Sequence, residues 1–138
     1  MRHDVLLSTV ETQLMSEVSR VYKETNSLSD ELLSALQFIY QTSLMPALDI
    51  IDRKAVTLLE CPSKRQLYTV MGTSGIVYIC FPDSKYCSCP AYNYSVLLKD
   101  DHIMCKHILA IKLSNAMNVT VRRNISDKEM RATLLHME

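Results

Sequence analysis

The stretch YCSCPAYNYSVLLKDDHIMCKH, residues 86–107, holds three of the chain's five cysteines and two of its four histidines. Cys87 and Cys89 come first, fifteen residues intervene, and Cys105 and His107 follow. In extended chain, residues i and i+2 point to the same side, so Cys87 and Cys89 can face one point in space. Inside a helix the same spacing turns two side chains about 200° apart. Cys105 and His107 therefore need extended chain or the opening turn of a helix, which places a helix start near Cys105. The orphan backbone N–H groups of such a start also favour a thiolate.

Three thiolates and one imidazole make a closed tetrahedral set for one Zn²⁺, with sulfur at about 2.3 Å and nitrogen at about 2.0–2.1 Å. A closed set is structural, because a catalytic zinc keeps a position for water. Three thiolates leave one excess negative charge, which Lys85 or Lys106 can offset. His102 is a rival ligand, matched to Cys105 if a helix already runs there. Cys61 and Cys80, at a turn and a strand end, read as core thiols, although Cys80 can also approach the metal. The alternative to a metal site is a set of buried, reduced cysteines with a satisfied histidine.

Working outward, apolar residues at Leu7, Val10, Leu14, Val18 and Val21 step by three and four, one stripe of an amphipathic helix. Ser27 or Ser29 can cap a second helix with the stripe Leu32, Leu36, Ile39 and Tyr40. Pro46 suits the first turn of a short third helix, PALDIIDR. Such stripes serve either as core packing or as a docking face for another protein.

After Arg53 the texture turns β-branched and aromatic: AVTLLE, QLYTVMG and GIVYICF. Pro62 in CPSKR supplies the fixed φ of a turn's second position, and GTSG joins the next pair. This predicts a small antiparallel meander leading straight into the first cysteine pair. HILAIKLSNAMN reads as a helix that stops at Asn118. Ser126 and Glu129 form a capping box for a last short helix. The fold class is α+β: a helical region over 1–53, a meander with a ββα-like zinc finger over 54–118, and a short C-terminal helix within 119–138.

The 138 residues amount to about one domain, 48% hydrophobic and 22% charged. Fifteen basic residues balance fifteen acidic ones, so no global field draws the chain to nucleic acid or membrane. No apolar run approaches the roughly 18 residues of a membrane span, and the N-terminal residues do not read as a signal peptide. The cysteines are accordingly expected in a reducing compartment, where disulfides are rare. Enzyme readings lack parts. There is no C-x-x-C, no H-x-E before a P-C-x-x-C, and no phosphate loop, since Gly72 and Gly75 are the only glycines. The chain reads as a non-enzyme.

C-x-C followed at a distance by C-x-H resembles the signature of the SWIM zinc finger family. That pattern continues to a small residue three places after the histidine, where Ala110 stands in CKHILA. The similarity extends over nearly the whole length, through ALDIIDR, YCSCPAY and MCKHILA. It implies zinc ligands at Cys87, Cys89, Cys105 and His107 and a packing role for Ala110. It further implies a nuclear subunit of a Shu-type complex, paired with a RecA-like ATPase. Such a pair supports recombinase filaments on single-stranded DNA in homologous recombination repair.

Two surfaces follow from the residues themselves. Tyr86, Tyr92 and Tyr94 stand among Lys85, Lys99 and Lys106, with Arg122 and Arg123 further on. Aromatic faces with cations suit single-strand binding at about 1–3 kcal/mol per stacked base, unless the tyrosines line the finger's own core. The second surface is the pair of N-terminal stripes, suited to the ATPase partner. A zinc-stabilised adaptor and an autonomous single-stranded DNA-binding module are thus both open.

Overall fold

The computed structural model describes residues 2–72, 75–81 and 105–135. A run without glycine or proline lets α1 extend over Arg2–Thr25, and it ends where Asn26 takes a positive φ of 60°. Ser29 is the cap of α2, Asp30–Tyr40, its hydroxyl accepting the Leu32 N–H at 3.2 Å. Asp30 and Glu31 in that first turn complement the helix dipole. A 3₁₀ turn over Gln41–Ser43 leads into α3, Leu44–Asp52, with Pro46 in its first turn.

The meander forms as expected: β1 (Val56–Glu60), β2 (Gln66–Met71) and β3 (Val77–Cys80) pair antiparallel, with Val56 opposite Val70 and Tyr68 opposite Cys80. The β1–β2 turn closes with Lys64 N–H donating to the Cys61 carbonyl at 2.9 Å, which puts Pro62 at the turn's second position. Helix α4, Lys106–Met117, stops at Asn118, whose left-handed backbone caps it. A strand with no announcing pattern comes next. β4, Val121–Asn124, pairs parallel with β1, giving a mixed sheet of order β3-β2-β1-β4. All four of its residues are exposed, so backbone pairing rather than side-chain burial holds it. The last helix, α5, covers Asp127–Leu135. The architecture is α+β.

Alternation along the strands sorts two cores. Val56, Leu58, Tyr68, Val70 and Cys80 face one side with Val18, Leu36, Leu44, Leu109 and Leu113. Leu59, Leu67 and Ile79 face the other, against Cys61, Ile125 and Met130. Helix α4 lies in the larger core and packs on α1 and α3. Its buried residues include the unbroken run His107–Ile111, with Leu113 and Ser114. Apolar around most of its circumference, it is a central helix rather than a surface one.

Polar ties cross this core. The Tyr40 hydroxyl donates to Glu11 Oε2 at 3.2 Å, and Lys112 Nζ stands 3.6 Å from the same oxygen, so one carboxylate joins α1, α2 and α4. Burial first, and then the Glu11 charge, push the Tyr40 phenol well above its usual range and keep it a donor. Helix α5 is tied to the β1–β2 turn by Asp127, which accepts the Ser63 N–H at 3.2 Å. The Cys61 thiol, then Ser63, hold that carboxyl below its usual range.

The capping box is present. Glu129 N–H donates to Ser126 Oγ at 3.0 Å, and Ser126 N–H donates to Glu129 Oε1 at 3.3 Å. Ser126→Ala should therefore cost about 1 kcal/mol, read as a lowered melting temperature with the zinc content unchanged.

Candidate metal centre

Helix α4 begins where the i, i+2 argument requires. Cys105 is its N-cap, in extended backbone at φ −66° and ψ 154°, and Lys106 is the first helical residue. The Cys105 sulfur accepts the Ile108 N–H at 3.5 Å, occupying the position that a serine or aspartate oxygen fills in an ordinary cap. A thiolate there gains from the positive end of the helix dipole. His107 follows in the first turn with only 3% of its surface exposed.

Both ring nitrogens of His107 are buried, and neither has a hydrogen-bond partner among the described residues. An unsatisfied buried polar group costs about 1–3 kcal/mol. An imidazole orphaned in this way, two residues from a buried thiol at a helix cap, has the donor chemistry of a metal site rather than of core packing. Tyr78, on β3, lies against the imidazole, with ring centroids 4.3 Å apart. The residues present fit zinc.

The partner ligands Cys87 and Cys89 lie outside the described residues, as do the rival His102 and also Lys85, Tyr86, Tyr92, Tyr94 and Lys99. No group of three metal-binding side chains occurs among the described residues. Cys61 and Cys80 are buried thiols, in the smaller and larger core respectively. Ala110 is fully buried on α4, and Lys106 is exposed.

The family profile described as SWIM zinc finger matches residues 78–116, from Tyr78 through most of α4. Over 131 residues the chain is 41% identical to "Zinc finger SWIM domain-containing protein 7" of Mus musculus, covering 95% of this chain and 86% of that one. The chain belongs to the SWIM zinc finger family. The Homo sapiens protein of the same name is also 41% identical, with 95% of this chain and 94% of that one covered. The Dictyostelium discoideum homologue is 34% identical over 116 residues, covering 83% and 74%. No solved structure matches. A SWIM finger binds zinc, and in this chain the expected C-x-H pair, Cys105 and His107, forms the cap and first turn of a central helix.

The other expected contact residues are dispersed. Arg122 and Arg123 are exposed on β4, at the opposite edge of the sheet from β3, where the chain enters the finger. Three strand spacings put those edges roughly 14 Å apart. Of the N-terminal stripe residues, Val18, Leu32 and Leu36 are core residues at 0%, 5% and 0% exposure and present no face to a partner. Leu14, Val21 and Ile39 pack partly buried against the same core, and Val10 is 41% exposed. The Leu7 side chain lies outside the described ones.

Sequence reasoning passed over two residues on the outer side. Phe38 is 80% exposed and Met45 67% exposed. Phe38 stands between two apolar clefts. One, of about 440 Å³, is lined by Val10, Leu14 and Ile39, and the other, of about 540 Å³, by Leu33, Met45 and Leu48. Their signal in the sequence is a large apolar residue that breaks the stripe of its own helix.

Proposed function

We propose that this chain is a non-enzymatic adaptor subunit of a Shu-type complex in the nucleus. One structural Zn²⁺, held by Cys87, Cys89, Cys105 and His107, stabilises it. It docks a RecA-like ATPase, and the pair assembles or stabilises recombinase filaments on single-stranded DNA during homologous recombination. The nucleotide chemistry that this chain lacks comes from the partner.

The observation that supports an adaptor is the ridge at Phe38 and Met45. Monomeric proteins rarely leave contiguous apolar surface of this kind uncovered, and exposed aromatic residues flanked by clefts have the composition of binding hot spots. Among the described residues Glu17 is the only charged one lining either cleft. The surface is therefore mostly apolar and carries no cationic side chain among the described residues, which suits a protein interface better than a nucleic-acid one.

The test is capture of the RecA-like ATPase from nuclear extract by the tagged chain, with the ATPase identified by mass spectrometry. The Phe38→Asp, Met45→Asp double variant should lose capture by about 30-fold or more, the scale of a single hot spot, with its melting temperature and zinc content intact. Undiminished capture removes this face from the interface. No RecA-like ATPase with the wild-type chain removes the adaptor function itself and leaves the autonomous DNA-binding module.

A further inference from the structure

We propose that Tyr78 is a positioning residue for the zinc finger: its ring backs the His107 imidazole and fixes the plane in which that imidazole meets the metal, and Gly72 leaves the space in which the Tyr78 ring sits. The inference rests on the reading of His107 as a zinc ligand. A metal-bound histidine is ordinarily oriented by a hydrogen bond from its second ring nitrogen to a carboxylate or carbonyl. Among the described residues His107 has none, and what they offer to fix its ring rotation is packing. The aromatic ring that meets it is Tyr78, at 4.3 Å between centroids and with the two planes tilted by 33°. An imidazole gains positive character on binding a cation, and an electron-rich phenol face favours that form.

Gly72 carries the second half of the argument. Its φ lies outside the left-handed region, so its backbone suits any residue and conformational freedom does not explain a glycine there. Space does. A Cβ on residue 72 would stand 3.0 Å from Tyr78 Cε2 and 3.4 Å from the Ile76 carbonyl oxygen, closer to the ring than ordinary van der Waals contact. The glycine at the end of β2 therefore admits the ring of β3, which in turn holds the first turn of α4. Gly72 and Tyr78, six residues apart, thus set the orientation of a ligand that lies 29 residues beyond Tyr78.

The experiment uses the full-length zinc-loaded chain, with zinc affinity measured against a chelating indicator and the His107 ring protons followed by NMR. Tyr78→Leu should weaken zinc binding about tenfold, the lower end for a residue supporting a metal ligand, and should move the His107 ring signals downfield as the ring current is lost. Tyr78→Phe should restore both. Gly72→Ala should shift the same His107 signals with Tyr78 still in place, a readout that loss of the tyrosine itself cannot produce. Unchanged affinity and unchanged ring signals in Tyr78→Leu and Gly72→Ala, alongside loss of zinc in His107→Ala, overturn the positioning role. Wild-type zinc affinity in His107→Ala overturns the ligand assignment beneath it, and this inference with it.

Discussion

Replacing His107 by alanine, or withdrawing zinc with a chelator, is expected to abolish the cooperative thermal transition of the whole chain rather than melt one corner of it. The reason is the position of α4. Cys105 caps that helix and His107 occupies its first turn, while Leu109 and Leu113, both at 0% exposure, fill the larger core further along. That core also takes Val18 from α1, Leu36 from α2, Leu44 from α3 and Val56 from β1. Zinc binding in small finger peptides is worth about 10–16 kcal/mol, as large as the whole stability of an ordinary domain at about 5–15. A helix that loses such an anchor at its N-terminus frays into the centre of the core. Circular dichroism melts of wild type, chelated wild type and His107→Ala are the measurement. A chelated chain that melts cooperatively within a few degrees of the loaded one would sink the structural role of the metal.

Leu36→Ala is expected to destabilise the chain by about 2–5 kcal/mol, the cost of truncating a fully buried leucine where the cavity cannot collapse. Leu36 is 0% exposed and lies in the larger core, whereas Phe38, two residues on, points outward at 80% exposure. In a helix that offset is about 200°, so the two side chains stand on opposite faces. The pair thus separates stability from recognition. Leu36→Ala should lower the urea midpoint strongly, and Phe38→Asp should leave it in place. Equal midpoints for wild type and Leu36→Ala would mean that α2 is not seated on the core as described.

Much of the frame was legible. Where proximity in sequence carries the signal, local chemistry sufficed: Ser29 before α2, the Ser126–Glu129 box before α5, Asn118 after α4, and the Pro62 turn between β1 and β2. The start of α4 near Cys105 followed from reading Cys105 and His107 as ligands at i and i+2 together with the helical run HILAIKLSNAMN. Strand β4 was illegible because its four residues are all exposed and follow no burial pattern; its signal is the backbone of β1, about sixty residues away in sequence. The stripes of α1 and α2 were legible as stripes, but their use was not. A periodic apolar face looks the same whether it meets its own chain or another.

By itself, then, the sequence determined the class of elements, most of their caps and turns, and the C-x-C and C-x-H pairs of a SWIM finger. These depend on covalent spacing and backbone preference, which act within a few residues. Only the tertiary structure decided that the helix opened by Cys105 and His107 is the central one, that Leu36 is spent inside while Phe38 and Met45 are left outside, and that Tyr78 meets His107 across a gap of nearly thirty residues. The physical reason is burial. Which apolar side chain leaves the water is set by the sum of all the surfaces packed against it, and no local stretch contains that sum.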